Sequence, residues 1–265
     1  MNFVQDVYMK LQALLLFVLT SFILSCNSSK TNVNKWDDGS IVVKEYPDEQ
    51  DTSTYLRKFF YSNGQLGTKG KKAEGEKQGV WQWWYKNGNT KDSGRYVNGQ
   101  GMGQFRHYYK NGALKRLHYI YQDECIGPHY YYHPNGQLQS HVYLDSLGRK
   151  QSAARDYFKD GTNRAVVHFA DDKKDGLYEF FHEDGTIKEK TNYNKGKKEG
   201  LQMLYYDNGS PQFIKYFNND SLHGEYQEFY KNGEQMVEGQ YEKGEQIGEW
   251  IWYLEDGSVR TVEHY

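Results

Sequence analysis

Histidine pairs are the first candidates for chemistry in this sequence, which contains nine histidines. His129 and His133 are four residues apart, a spacing that lets two histidines on a helix bind one metal ion. The three tyrosines between them favour a strand instead. On a strand the two side chains share a face but stand roughly 13 Å apart, which a single metal ion cannot bridge. We therefore predict no metal site.

A glycine-rich stretch, Gly99-Gln100-Gly101-Met102-Gly103, resembles a phosphate-binding loop. Such a loop needs a following helix whose N-terminus binds the phosphate. Residues 104–109 are instead Gln-Phe-Arg-His-Tyr-Tyr, which favour a strand. We predict no nucleotide site and no cofactor.

Nucleophilic residues give no sign of an active site. Cys125 lies in a predicted turn, residues 122–127, with no base implied near it, and no Gly-x-Ser-x-Gly motif occurs. The simplest interpretation is an inert thiol. We therefore predict that the protein is not an enzyme.

The composition excludes several other classes. Of the 265 residues, 33 are Lys or Arg and 35 are Asp or Glu, so the net charge is −2 and the basic surface of a nucleic-acid-binding protein is missing. Two cysteines cannot form a disulfide framework. Aromatic residues make up 17%, too many for a disordered chain. These values predict a folded chain with an aromatic rather than an aliphatic core.

The N-terminal residues resemble a bacterial lipoprotein signal. An apolar run over residues 11–24 follows Lys10 and ends in Ile-Leu-Ser-Cys at residues 23–26. The resemblance implies that residues 1–25 are a signal peptide and that Cys26 is the lipidated residue; an ordinary secretory signal is the alternative. Residues 26–35 are predicted to be a flexible tether, and their lack of acidic residues favours the periplasmic face of the outer membrane in the cell envelope.

A 24-residue repeat organises the remaining chain, residues 36–265. Asn-Gly or Asp-Gly recurs ten times at spacings of 24 or 25 residues, with the glycines at 39, 64, 88, 112, 136, 161, 185, 209, 233 and 257. We call these the tip glycines. Both dipeptides suit a two-residue type I′ hairpin turn, and a second, wider turn is predicted midway between successive tips. The spacing is 25 at two places, between Gly39 and Gly64 and between Gly136 and Gly161, and the extra residue of the second lies near Gly148.

Aromatic residues follow the same period. The residue four before the tip glycine is aromatic in nine repeats: Phe60, Trp84, Tyr108, Tyr132, Tyr157, Phe181, Tyr205, Phe229 and Tyr253. Two-residue turns would pair Tyr61 with Leu66, Tyr109 with Leu114, His133 with Leu138 and His182 with Ile187, on the face opposite these nine rings. The same logic pairs His141 with Tyr130. Successive hairpins then form an all-β fold: an elongated, single-layer antiparallel meander of about ten repeats.

The unit over residues 193–209, Tyr-Asn-Lys-Gly-Lys-Lys-Glu-Gly-Leu-Gln-Met-Leu-Tyr-Tyr-Asp-Asn-Gly, resembles the bacterial variant of the MORN repeat. The resemblance covers nearly all of residues 36–265; the first repeat and the stretch near Gly148 depart from it. Proteins of this kind are often described as YwqK-type antitoxins. The resemblance implies a binding scaffold rather than an enzyme.

Tryptophans near the ends of the array are candidate binding residues. Trp81, Trp83, Trp250 and Trp252 either pack the ends of the sheet, which we favour, or bind a ligand. Two functions remain open: a membrane-anchored scaffold that binds a protein, such as a toxin, and an envelope glycan-binding module. A ladder of exposed rings flanked by Asn and Asp would favour glycan, whereas a broad mixed surface would favour protein.

Overall fold

A computed structural model describes residues 31–51 and 53–265. The predicted signal peptide and Cys26 lie outside the described residues. Twenty strands make up the fold: β1 Asn32–Lys35, β2 Ile41–Pro47, β3 Thr54–Phe60, β4 Leu66–Ala73, β5 Glu76–Trp84, β6 Thr90–Val97, β7 Gln100–Tyr108, β8 Leu114–Tyr121, β9 Glu124–Tyr132, β10 Leu138–Leu144, β11 Lys150–Tyr157, β12 Asn163–Ala170, β13 Lys173–Phe181, β14 Ile187–Asn194, β15 Lys197–Tyr205, β16 Pro211–Asn218, β17 Ser221–Phe229, β18 Gln235–Glu242, β19 Glu245–Tyr253 and β20 Val259–His264.

The strands form one open sheet in which each strand pairs antiparallel with the next along the chain. β1 and β20 are the two edges. No helix occurs in the part of the chain that the structure describes, and thus no helix there is long enough to cross a membrane. The predicted all-β, single-layer meander of tandem hairpins is confirmed.

The hairpin tips differ from the predicted two-residue type I′ turns. The amide of Tyr61 donates to the carbonyl of Gln65, and the amide of Gly64 donates to the carbonyl of Tyr61, both at 2.9 Å, which closes a three-residue loop. Only the tip glycine has a positive φ (+80° at Gly64), because the Asn63 side chain accepts the amide of Gln65 and holds its own backbone in a right-handed conformation. The tip is a type I turn followed by a glycine bulge.

The predicted register at the tips is therefore wrong by one residue. Phe60 pairs with Leu66, Tyr108 with Leu114, Tyr132 with Leu138 and Phe181 with Ile187, in place of the residues that follow them. Farther from the tip, His141 does pair with Tyr130, as predicted. The third loop residue shifts the pairing beside the tip by one residue. A second shift, between Leu138 and Ser140, returns the hairpin to the predicted register.

Type I′ geometry occurs in the turns between repeats, where a wider turn was predicted. In the turn between β6 and β7 both central residues, Asn98 and Gly99, have positive φ (47° and 82°). The same geometry recurs at 74–75, 122–123, 171–172, 195–196, 219–220 and 243–244. The second glycine of the predicted wide turn, Gly103 in this repeat, lies inside strand β7. The strand predicted at residues 104–109 is present as β7, which begins earlier than predicted, at Gln100, and ends at Tyr108.

The end of the predicted tether is structured. Asn32–Lys35 form β1, which pairs with β2, whereas the sequence predicts a flexible segment here. Their side chains are exposed and polar, so composition gives no sign of the strand. The unpaired backbone groups along the edge of β2 provide the partner, since a sheet edge can bind any extended backbone.

The two faces of the sheet differ in how deeply their side chains are buried. Ten residues other than glycine are buried: Val43, Trp81, Phe105, His118, His129, Ala165, Thr191, Gln202, Val237 and Trp250. All ten stand seven residues before, or four or six residues after, a tip glycine, and strand alternation places these positions on one face. We call this the core face. The opposite face, which carries the nine aromatic residues four before the tip glycines, is the outer face.

Candidate functional site

The first candidate site is the aromatic column of the outer face. Its nine rings, from Phe60 to Tyr253, are all half-buried, so part of each is accessible to a partner. They recur at the same place in consecutive hairpins from β3 to β19. The sheet thus presents a continuous row of exposed ring surface.

Hydrogen bonds between hairpins fix this column. The Tyr61 hydroxyl donates to the carbonyl oxygen of Trp84 at 2.9 Å, and the Tyr85 hydroxyl donates to that of Tyr108 at 2.8 Å. Equivalent bonds link Tyr109 to Tyr132, Tyr206 to Phe229 and Tyr230 to Tyr253. Each accepting carbonyl belongs to a residue of the aromatic column. Every such bond therefore holds one member of the column against the preceding hairpin.

The tip asparagines add a second bond between hairpins. Nδ2 of Asn87 donates to the carbonyl of Lys110 at 2.9 Å, and Nδ2 of Asn208 donates to that of Lys231 at the same distance. Their Oδ1 atoms accept amides within their own tips. The tip asparagine is therefore used twice, once for its turn and once for its neighbour.

Both kinds of bond are missing at two successive tips. Phe158 replaces the tyrosine in one hairpin, and His182 in the next has a buried Nε2 without a hydrogen-bond partner among the described residues. Asp160 and Asp184 stand at the asparagine position, and a carboxylate cannot donate to a carbonyl. The links between hairpins are weakest in this middle part of the sheet.

The four tryptophans predicted as binding residues lie on the core face. Trp81 is 4% exposed and Trp250 is 2% exposed, so neither can offer its ring to a ligand. Each ring packs against a glycine of the neighbouring strand, Gly70 or Gly239. Trp83 and Trp252 lie beside them and are half-buried. Burial of Trp81 and Trp250 agrees with the packing interpretation and removes those two residues from the candidate site.

A cavity of about 290 Å³ opens on the core face, beside the irregular repeat that contains Gly148. Its lining includes Val142, Ala154 and Val167 together with Tyr131 and Phe169. Ala154 stands seven residues before a tip glycine, where Trp81, Phe105 and Trp250 stand in other hairpins. The sequence showed the break near Gly148 but not the cavity, which results from a small residue in a column of large ones.

The turn next to this cavity is well ordered. Asp145 accepts the backbone amides of Leu147 and Arg149, and the Arg149 guanidinium bridges Asp145 at 2.7 Å and Asp171 at 3.0 Å. The hydrogen bond from the Arg149 amide is the main reason that the pKa of Asp145 falls to about 2. The extra residue near Gly148 is thus accommodated in a three-residue loop like those of the tips.

A row of histidines crosses the core face, and sequence reasoning missed it. His107 Nδ1 lies 2.6 Å from an Asp92 oxygen, its ring stacks on His118 with centroids 5.1 Å apart, and His129 follows at 5.3 Å. Burial lowers the pKa of His118 to about 3 and that of His129 to about 4, and the Arg116 charge adds to both shifts. The constant spacing of 11 residues between the three was the available signal.

These histidines do not form a recognisable metal centre. No group of three potential ligands lies close enough to hold an ion anywhere in residues 31–51 and 53–265. His118 Nδ1 accepts a hydrogen bond from Arg116 Nε at 3.2 Å, and His133 lies in a tip, where its ring contacts the Tyr157 carbonyl. Cys125 is a half-buried free thiol. His118 and His129 are buried, and burial keeps these two imidazoles neutral by lowering their pKa.

Comparison with protein families identifies the repeat. Five segments match the family model described as MORN repeat variant: residues 77–98, 126–145, 174–195, 198–219 and 222–243. Each segment spans one hairpin closed by a three-residue tip, and together they cover less than half of the chain. The β11–β12 hairpin, which carries Ala154, lies outside them, as does β7–β8. The chain therefore contains MORN-variant repeats.

No curated protein matches the chain. Among solved structures, the Tc holotoxin pore of Photorhabdus luminescens matches 84% of this chain at 11% identity with a TM-score of 0.21. A complex described as TcdB2-TccC3-Cdc42 matches the same share at 11% identity with a TM-score of 0.18. The chain spans only 14% of the length of each of these proteins.

Proposed function

We propose that this array of MORN-variant repeats is a non-enzymatic scaffold that binds a protein partner across its outer face. The observation that carries the proposal is the unbroken column of nine half-buried rings on the face that contains none of the buried residues. Repeat sheets of this kind offer long, nearly regular surfaces. A folded protein can contact several repeats of such a surface at once.

The residues beside the column favour protein over glycan. Six residues before successive tip glycines, on the same face, stand Lys58, Gln82, Arg106, Tyr130, Arg155, Glu179, Met203, Gln227 and Ile251. None of these nine is Asn or Asp. Tyr, Met and Arg are enriched in protein interfaces, and aromatic residues with Arg account for most hot spots. At these nine positions the outer face is a mixed surface of basic, polar, aromatic and apolar residues rather than one lined by Asn and Asp.

The same proposal includes attachment to the envelope through Cys26, on the outer membrane facing the periplasm. The motif at residues 23–26 supports it. If this is correct, Cys26→Ser moves the protein from the membrane fraction to the soluble fraction, whereas Cys125→Ser leaves it in the membrane. Unchanged membrane association of Cys26→Ser would contradict the anchor without affecting the scaffold proposal.

A toxin is one kind of partner that would fit. The resemblance of the repeats to YwqK-type antitoxins supports this narrower proposal, in which the outer face covers the toxin. Loss of the protein should then be harmful only to cells that also produce the partner.

Crosslinking from defined positions tests the scaffold proposal. A photoreactive phenylalanine analogue would replace Tyr216 or Tyr119 on the outer face, and Phe180 on the core face would be the matched control, since all are large aromatic residues. We expect one discrete protein adduct from both outer-face positions in native cells and none from Phe180. Adducts with polysaccharide alone would establish the glycan alternative, and a protein adduct only from Phe180 would contradict the proposed face.

A further inference from the structure

We propose that the cavity at Ala154 is a binding site for one aromatic ring that carries a hydrogen-bond donor, such as an indole or a phenol. The site lies on the core face and is therefore separate from the outer-face surface. Either proposal can be wrong without affecting the other.

Rings on the core face pack against glycines of the neighbouring strand. Trp81 lies against Gly70, Phe105 against Gly94 and Trp250 against Gly239, and in each case a methyl group added to the glycine would overlap the ring. The position seven residues before the tip glycine thus holds a large side chain in the other hairpins from β3 to β19. It is a ring in six of them, with His129, Tyr178 and Tyr226 beside the three above, and Arg57 or Gln202 in the other two.

In the β10–β11 pair this place is filled by a methyl group. Ala154 stands where the ring would be and Val142 stands where the glycine would be, and both line the cavity. The volume of about 290 Å³ is at the lower limit of small-molecule pockets, so it suits a single ring system rather than a larger ligand. A ring from outside the chain would complete the column.

The remaining lining matches an aromatic donor. Tyr131 and Phe169 supply ring surface, and Lys150 lies over the Phe169 ring at 5.1 Å. Asp156 lines the same cavity, and one of its oxygens, Oδ2, is bonded to Arg164 at 3.2 Å. The other carboxylate oxygen can accept a hydrogen bond from an indole N–H or a phenol O–H. Ser140 and His141 also line the cavity, and mainly apolar walls with a few polar groups are typical of a ligand site.

The hairpin also keeps an unfavourable backbone conformation beside the cavity. Ser152 has a φ of 62° at the position, nine residues before the tip glycine, where glycine stands in seven other hairpins: Gly79, Gly103, Gly127, Gly176, Gly200, Gly224 and Gly248. Backbone strain of this kind clusters at binding sites. Three departures from the repeat, the loop at Gly148, Ser152 and Ala154, therefore coincide at one cavity.

The test is a calorimetric titration of the purified full-length chain with indole, p-cresol and N-acetyltryptophanamide. The first two probes represent free aromatic compounds and the third represents a side chain of a peptide. We expect saturable binding of at least one probe, and we expect Ala154→Phe to raise its Kd by at least about tenfold because the new ring occupies the site. Tyr226→Phe, at the same repeat position three hairpins away, should leave the Kd unchanged.

Indole and 1-methylindole test the proposed hydrogen bond to Asp156 without a substitution that fills the cavity. Wild-type protein should bind indole more tightly than 1-methylindole, which lacks the donor, and Asp156→Leu should remove that preference. Failure of all three aromatic probes to bind, or equal binding by Ala154→Phe, would overturn the proposal. Equal affinity of the wild type for indole and 1-methylindole would overturn the role of Asp156. None of these results bears on crosslinking from the outer face.

Discussion

The hydroxyl of Tyr85 donates a 2.8 Å hydrogen bond to the carbonyl oxygen of Tyr108, 23 residues later. The bond joins the β5–β6 and β7–β8 hairpins, which are also linked by strand pairing and by the bond from Asn87 to the Lys110 carbonyl. The same bond recurs at five tips, where a half-buried tyrosine hydroxyl fixes the repeat to its successor. Stability of such an array is nearly a sum over repeats and their interfaces, so single bonds of this kind can be measured.

Removal of that hydroxyl should destabilise the sheet locally. We expect Tyr85→Phe to lower the free energy of unfolding by about 1 kcal/mol, since it leaves the Tyr108 carbonyl without its donor. Phe158→Tyr is the matched opposite change, because Phe158 occupies the same position in a hairpin that lacks the bond. Urea denaturation should show a gain of similar size. A loss in both variants would contradict the proposed role of this position.

The turn geometry makes opposite predictions for two exposed residues. Lys195 has a positive φ of 49° in a type I′ turn, so Lys195→Gly should raise stability by about 0.5–1 kcal/mol through relief of backbone strain. Asn208 has no positive φ at its tip, and Asn208→Gly should lower stability by about 1 kcal/mol through loss of its bonds to Lys231 and Ser210. Thermal unfolding of both variants tests these two predicted changes in stability. Stabilisation by Asn208→Gly would restore the type I′ assignment for the tips.

Substitutions at Trp81 and Gly70 should have coupled, non-additive effects on stability. Trp81→Ala should cost about 3–5 kcal/mol, as expected for a buried tryptophan. Gly70→Ala should cost on the order of 1–3 kcal/mol in the wild type, because the methyl group overlaps the ring, but much less in the Trp81→Ala background. Equilibrium unfolding of the two single variants and the double variant measures this coupling. Additive losses would mean that the ring does not depend on the glycine.

The histidine row predicts a loss of stability in acid. Burial lowers the pKa of His118 from 6.5 to about 3, so the unfolded chain binds protons that the folded chain does not. Stability is therefore complete above about pH 6.5 and declines as the pH falls toward 3. At pH 5 the expected loss from His118 alone is about 2 kcal/mol.

His118→Phe isolates this effect, because it keeps a ring in the row and leaves the carboxylates unchanged. The free energy of unfolding would be measured at pH 7 and at pH 5 for both proteins. The variant should lose less stability on acidification than the wild type. Equal losses would mean that His118 is protonated as easily in the folded chain as in the unfolded one.

The architecture could be predicted from the sequence because glycines and aromatic residues recur at fixed positions of the repeat. The tip glycines, the nine-ring column and the pairing of His141 with Tyr130 all follow from a fixed period on alternating strands. The two turn types were interchanged, since Asn-Gly suits type I′ geometry and also the end of a type I turn with a glycine bulge. Side-chain bonding at Asn63, which selects between them, is invisible in a dipeptide pattern.

The sites were harder to predict than the fold. Trp81 and Trp83 are two residues apart and share a face, yet only the first is buried, because burial depends on which neighbour is a glycine. The cavity at Ala154 exists because alanine replaces the larger side chain that stands at this position in other hairpins. Such a gap can be recognised only after the register assigns each residue to a face.

Binding of a protein to the outer face should reduce side-chain oxidation of that face in the purified complex. After crosslinking has identified the partner, hydroxyl-radical footprinting would compare the free chain with the complex. We predict protection of Tyr119, Tyr143 and Tyr216 on the outer face and unchanged oxidation of Phe180 and Trp252 on the core face. Protection confined to Phe180 and Trp252, with the three tyrosines unchanged, would contradict it.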